Sequence, residues 1–243
     1  MVIGIKKKVW VGLRSIGREQ TLATLCSIFQ IKDKIEGLVI SGELLTQPQK
    51  LLFSHLGEYI KTIQISGENP GHALSSLISK FQKIKPDYVL LLDDDCIFTE
   101  KVFTKVLSIL EKEKDYDIVT LFPKREMTGY SEFLKICTEF PIFDPYFSLC
   151  RGKVFEVISI EELGILSELK RKTEWLFLGW LLLKKYKFRM KYLVEDTFHL
   201  WVATDKNKTL LPQKSWDEVI AKIYREEDFE KVVKICKEEA DGV

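Results

Sequence analysis

The chain has 243 residues, 46% of them apolar and 30% charged, with a formal net charge of +1. That length suits one α/β domain, or one domain with a short appendage, and that balance excludes a disordered chain. Near-neutrality excludes a global field that recruits nucleic acid or an anionic membrane, so the lysines at 6–8 and the basic stretch Lys184 to Lys191 read as solvated faces.

The first half alternates strand and helix patterns. Val9–Leu13 is β-rich and gives way to a turn at Arg14–Gly17. Leu22, Leu25 and Phe29 then recur at helical spacing within residues 19–29. Gly37–Ser41 is a second short strand, followed by a helix with Pro48 in its first turn. Tyr59–Ile65 is a third strand, and Ser66–Gly71 is a turn centred on Asn69-Pro70-Gly71. Leu74, Leu77, Ile78 and Phe81 make the next helix. Tyr88–Leu92 is apolar throughout, which suits a buried parallel strand. Thr99 caps a helix running to about Glu113, and Ile118–Phe122 is the following strand. This order predicts a mostly parallel sheet with right-handed crossovers.

The second half is less regular. It holds a strand at Phe147–Arg151, a strongly apolar helix at Thr173–Tyr186 and a strand at Phe188–Leu193. Ser215 and Glu218 form a capping box that opens a helical region through Ile235. Its stripe of Trp216, Val219, Ile220, Ile223 and Tyr224 packs on the domain, lies in a homodimer interface or rests on a membrane surface. Its mixed charge ranks the membrane lower.

Five scattered cysteines without a C-x-x-C pair argue against a zinc site and a disulfide framework, and fit a reducing cytoplasm. The N-terminus lacks the apolar core of a signal peptide. The longest apolar run, Trp175–Leu183, is too short to span a bilayer, so the sequon Asn207-Lys208-Thr209 carries no weight. Two asparagines among many Lys, Glu and Ile fit a thermophilic source.

Asp93-Asp94-Asp95 directly follows the Tyr88–Leu92 strand. Open α/β sheets bind ligands beyond the carboxyl ends of their strands. Extended backbone aims positions i and i+2 the same way, so Asp93 and Asp95 are expected to converge while Asp94 faces elsewhere. Two converging hard oxygens suit Mg²⁺ or Mn²⁺, which bridges phosphates and offsets charge on a departing diphosphate. The competing reading is an acidic loop ahead of the helix at Thr99. The position after a buried strand favours the metal.

These residues resemble a known family. Leu91-Leu92-Asp93-Asp94-Asp95, followed by Thr99 and Glu100, resembles the D-x-D motif of family 2 glycosyltransferases, enzymes of GT-A fold. Val9 to Arg18 resembles their first strand and nucleotide-contacting turn, and Leu22, Leu25 and Ile28 continue the matching helix. Asn69-Pro70-Gly71-His72-Ala73 resembles the first half of the N-x-G-x-x-x-A-R-N loop. Thr173-Glu174-Trp175, followed by Lys185-Tyr186-Lys187-Phe188, resembles the E-D-W helix ending in G-Y-K-I, and His199 falls where many members carry a late histidine. The likeness covers roughly residues 9 to 201.

The resemblance implies an α/β GT-A fold with a mostly parallel central sheet flanked by helices. Residues 1–205 would be the catalytic domain, with a nucleotide-sugar half to about 122 and an acceptor half beyond it. Residues 206–243 would be a C-terminal helical extension. It implies Mn²⁺ or Mg²⁺ held by Asp95 with Asp93 and His199. Ser15, Arg18, Glu43, Asn69, Gly71, Asp93 and Asp94 would contact a nucleoside-diphosphate sugar. Glu174 takes the place of the family's base, which removes a proton from the acceptor hydroxyl as it attacks the anomeric carbon and inverts it. The acceptor stays open among glycan, lipid-linked sugar, protein and small molecule. Two departures stand out. Thr173 replaces the first Glu of E-D, and Ser41-Gly42-Glu43 replaces the acidic residues that contact the base, leaving only Glu43 to substitute.

Each residue also has a plainer role. Glu174 suits a helix's first turn, Arg18 a solvated helix, and Asn69 with Gly71 a turn. His199 is otherwise a half-buried side chain. Trp175 and Trp180 belong to core packing, whereas Trp201 and Tyr146 could stack on a sugar ring. Rival functions are an aspartyl-phosphate phosphatase, a nucleotidyltransferase of similar fold, and a non-catalytic GT-A-like binding or scaffold protein. The first is disfavoured by Ile97, where Thr or Val is expected, and by the strand being fourth in order. The second finds only a thin Gly-rich loop in Gly12 to Arg18, and the third is motivated by Thr173 and Ser41. No serine-hydrolase elbow, H-E-x-x-H, P-loop or G-x-G-x-x-G occurs.

Overall fold

The structure is a computed structural model that describes residues 7–16, 18–123, 143, 146–170, 173–195, 198–199 and 213–241. Strands and helices alternate through the first half: β1 (Val9–Ile16), α1 (Thr21–Gln30), β2 (Gly37–Glu43), α2 (Gln47–Leu56), β3 (Lys61–Ile65), α3 (Pro70–Ile84) and β4 (Tyr88–Asp93). Next come the short β5 (Cys96–Ile97), α4 (Glu100–Lys112), β6 (Ile118–Pro123) and β7 (Phe147–Arg151). The remainder holds α5 (Lys153–Glu156), α6 (Ile160–Glu168), α7 (Thr173–Trp180) with a π-helical turn (Leu181–Lys185), β8 (Met190–Glu195), β9 (Phe198–His199), α8 (Gln213–Arg225) and α9 (Phe229–Asp241).

Seven strands form one sheet in the order β3-β2-β1-β4-β7-β6-β8. β3, β2, β1 and β4 run parallel, β7 runs antiparallel to β4 and β6, and β8 is parallel to β6. Among the described strands of this sheet, β7 alone therefore opposes the rest, and the parallel majority is as expected. Both faces are covered, which explains why β4 is apolar on both sides. Val9, Val11 and Leu13 of β1 and Leu90 and Leu92 of β4 enter a core with Leu25, Ile28, Phe103 and Val106 of α1 and α4. Trp10, Val89 and Leu91 enter the opposite core with Leu74, Ile78, Phe81, Leu166, Leu176 and Phe177.

Local chemistry sets the helix starts. Thr46 and Gln49 form a capping box with Pro48 in the first turn of α2, and Thr99 accepts from the Val102 N–H at 3.4 Å to cap α4. The turn expected at Asn69-Pro70-Gly71 is instead the start of α3. Asn69 Oδ1 accepts from the His72 N–H at 2.8 Å, and Pro70 follows at the position where a missing N–H is harmless. α8 runs from Gln213 to Arg225, and the Ser215 side chain expected to cap it lies outside the described residues. The stripe on α8 and α9 packs on the domain: Val219, Ile220, Ile223, Tyr224, Val232 and Ile235 share the core of α7. The contact is close, since a Cβ on Gly179 of α7 would lie 2.2 Å from Tyr224 Oη. Among the described residues no helix is long and apolar enough to cross a membrane.

Candidate active site at the switch point of the sheet

The chain builds the sheet outward from β1 through β2 to β3, then returns to place β4 on the other side of β1. Open α/β sheets hold ligands at such a reversal, beyond the carboxyl ends of the strands, here β1 and β4. Arg14 and Asp93 face each other there in register. Arg14 Nε donates to Asp93 Oδ1 at 2.7 Å, and Nη2 donates to the same oxygen. Arg14 Nη1 donates to Glu174 Oε1 at 2.9 Å. One guanidinium thus joins β1, β4 and the first turn of α7.

Side-chain exposure falls from 28% at Asp93 to 14% at Arg14 and 3% at Glu174. Burial works against the charge on Arg14, but Asp93 and Glu174 outweigh it and hold the guanidinium above its ordinary pKa. Burial raises the Glu174 carboxyl above its ordinary value; Arg14 opposes that rise without cancelling it, and Asp93 adds to it. Glu174 Oε2 is buried and makes no hydrogen bond among the described residues. A carboxyl with one oxygen held, the other unengaged and a raised proton affinity suits a general base.

Asp94 and Asp95 correct the sequence geometry. β4 ends at Asp93, and the next two residues form a turn, not extended chain. The chain leaves the sheet there because β5 pairs with β9 in a separate two-stranded ladder. Asp94 Oδ2 accepts from Thr21 Oγ1 at 3.4 Å, and Asp95 Oδ2 meets Arg18 Nη1 at 3.5 Å. Asp93 and Asp95 therefore face different arginines instead of converging. Among the described residues no three His, Cys, Asp or Glu side chains cluster as a metal cage. The donor set nonetheless fits a divalent ion that arrives with a diphosphate, because such ions are held by one or two carboxylates plus phosphate and water. The backbone of His199 pairs with Cys96, one residue from Asp95; its side chain lies outside the described residues.

The other expected residues spread around this centre. Ser15 Oγ donates to the Glu43 carbonyl at 2.8 Å and bonds Thr21 Oγ1 at 3.3 Å, tying β1 to β2 and α1. Gly42, at φ +119, is required there because a Cβ would sit 1.8 Å from the Ser15 carbonyl oxygen. The Glu43 side chain stands exposed at the end of β2. Gln49 Nε2 donates to the Arg18 carbonyl and braces the turn. Asn69 and Gly71 pack against α6: Asn69 Nδ2 donates to the Ser167 carbonyl at 3.3 Å, and a Cβ on Gly71 would lie 2.2 Å from the Leu166 carbonyl oxygen. Tyr146 is buried, leaving no open face for a sugar to stack on, and Trp201 lies outside the described residues. Trp180 is buried and Trp175 packs against the same core.

Sequence reasoning missed Arg14, which reads as a turn residue. The available signal was a charge at the end of an otherwise apolar strand, because a buried charge is rare unless paired.

No protein-family model matches the sequence, and a search of curated proteins finds no match. Solved structures do match. A mannosyltransferase from Pyrobaculum calidifontis, in complex with GDP-Man and Mn²⁺, gives a TM-score of 0.55 at 12% identity, over 96% of this chain and 69% of that one. Glucosyl-3-phosphoglycerate synthase from Mycobacterium tuberculosis, in complex with phosphoglyceric acid, gives 0.53 at 12% identity, over 95% and 80%. Residues 1–349 of S. aureus TarS give 0.53 at 15% identity, over 76% and 58%. At these identities the likeness shows the fold alone: the chain has the GT-A fold.

Proposed function

We propose that this GT-A domain is a glycosyltransferase that moves a sugar from a nucleoside-diphosphate sugar to an acceptor hydroxyl. The observation that carries this reading is Glu174, a buried carboxyl with a raised proton affinity and an unengaged oxygen beside the switch point. Asp95 and Asp93 would hold Mn²⁺ or Mg²⁺, and His199 is a further candidate ligand. A bound divalent ion supplies positive charge to the departing diphosphate. Arg18, beside Asp95 and partly exposed, would meet a phosphate oxygen. Ser15, Glu43 and Asp94, at the carboxyl ends of β1, β2 and β4, and Asn69 and Gly71, at the start of α3, would contact the nucleoside-diphosphate sugar. Glu174 takes the proton of the acceptor hydroxyl as that oxygen attacks the anomeric carbon. One displacement of this kind inverts the configuration. The ligands bound in the structural neighbours, GDP-Man with Mn²⁺ and UDP-Glc with Mn²⁺ and phosphoglyceric acid, support a nucleotide-sugar donor.

The test is release of nucleoside diphosphate from UDP-, GDP-, dTDP- and ADP-sugars in the presence of Mn²⁺. The wild type releases it from one of them, and Glu174→Gln lowers kcat by about 10²–10⁴-fold while still binding the nucleotide. Release of pyrophosphate from a nucleoside triphosphate supplied with a sugar 1-phosphate, and of no nucleoside diphosphate from the sugar nucleotides, would instead assign a nucleotidyltransferase. Binding without any release would assign a scaffold.

A further inference from the structure

Arg14 does more in this geometry than neutralise its surroundings. It leaves β1 at the switch point and spends one edge of its guanidinium, Nε and Nη2, on Asp93 of β4. The remaining nitrogen, Nη1, reaches Glu174 in the first turn of α7. Lysine could not do this, because a point charge lacks the fork that serves two carboxylates on two elements at once. Glu174 is otherwise set among apolar neighbours, with Leu176, Phe177 and Leu178 buried beside it. Its carboxyl Oε1 has one hydrogen bond, from Arg14, and Oε2 has none among the described residues. Among the described residues, Arg14 Nη1 is therefore the side-chain donor that fixes the rotation of this carboxyl.

We propose that Arg14 is the positioning residue for Glu174: it occupies Oε1, leaves Oε2 to receive the acceptor proton, and fixes the base-bearing helix α7 at a set distance from β4. The proposal rests on the glycosyltransferase reading of the site. Arg14 takes no proton itself and acts through Glu174.

This makes a specific kinetic signature. Arg14→Gln lowers kcat by about 100-fold through misplacement of the base, with the donor KM within threefold of wild type. Arg14→Lys recovers part of that loss. In a Glu174→Gln background, Arg14→Gln costs nothing further, because a positioning residue has no effect once its client is gone. Equal loss in both backgrounds, a change in donor KM alone, or an unchanged kcat overturns the proposal. If Arg14→Gln alone fails to fold, Glu174→Gln is compared with the double variant, which leaves no ionised Glu174 unpaired. Equal kcat then supports the proposal, and a further fall overturns it. A wild type that releases nucleoside diphosphate from no donor overturns the glycosyltransferase reading and this proposal together. An active wild type indifferent to Arg14 overturns only the proposal.

Discussion

Asp93 and Asp95 sit two residues apart yet face different cations, Arg14 on one side and Arg18 on the other. An ion carried in with a diphosphate has to displace or share these contacts, so binding of metal and nucleotide should be interdependent. A ligand that binds only the folded state stabilises it by about 2.7 kcal/mol at a hundredfold excess over Kd. For a chain of this size that is a rise of about 5–10 °C in Tm. We expect one of UDP, GDP, dTDP or ADP to produce such a rise with Mn²⁺, a smaller one without it, and none in Asp95→Ala. A full rise in Asp95→Ala would remove Asp95 from the site. The carboxylates themselves are legible in the sequence, because three acids after an apolar strand and an acid in an apolar helix are conspicuous. Their pairing is not. Arg14 lies 79 residues from Asp93 and 160 from Glu174, and no local pattern reports contacts at that separation. The turn at Asp94 is equally hidden, since it follows from β5 pairing with a strand about a hundred residues later.

At the scale of elements, the second half of the chain holds a charged knot between α6 and the π turn. Glu162 Oε2 accepts from the Ser159 N–H at 2.6 Å and from Tyr186 Oη at 2.6 Å, and Oε1 accepts from Lys185 Nζ at 2.7 Å. Burial pushes this carboxyl up, but the bonds from Lys185, Tyr186 and Ser159 outweigh it and hold the pKa below its ordinary value of 4.5. A depressed folded pKa means stability that is present above the unfolded value and is lost as pH falls through the folded one. Glu162→Gln should therefore cost about 2 kcal/mol at pH 7, where charged hydrogen bonds are lost. The gap between variant and wild type should narrow in acid, below pH 4.5. Urea unfolding at pH 7 and at pH 3.5 measures both, and a gap that stays constant would mean the carboxylate's charge contributes nothing. The helices involved are poorly legible in sequence. Ser159 and Glu162 do form a capping box, but α5 and α6 are only four and nine residues long, too short to display a period. By contrast α4, with Thr99 ahead of a regular stripe, reads correctly. Asn69-Pro70-Gly71 is ambiguous because the same three residues suit a turn and a helix start.

Across the whole molecule, the order of the parallel strands is readable because each βα unit carries its own strand run, turn and helical stripe. The antiparallel insertion of β7 between β4 and β6 is not, since Phe147–Arg151 reveals a strand but not its direction. Nor does sequence alone decide what the C-terminal stripe covers. In the fold, α8 and α9 close the core over α7, burying Val219, Ile220, Ile223, Tyr224, Val232, Ile235 and Cys236. Burying a large apolar side chain contributes about 1.5–3 kcal/mol, so this group together rivals the 5–15 kcal/mol that separates folded from unfolded domains. It also covers the helix that carries Glu174. Truncation before residue 213 should therefore give an aggregating or molten chain without a cooperative thermal transition, rather than a smaller stable enzyme. If the helices served instead as a membrane or dimer surface appended to a finished domain, the truncated chain would keep its melting transition and its nucleotide-dependent stabilisation. Circular dichroism melting of the truncated chain, with and without the nucleoside diphosphate and Mn²⁺, separates the two: a retained transition means that the core is complete without α8 and α9, and its loss means that α7, the helix that carries Glu174, depends on them for its place.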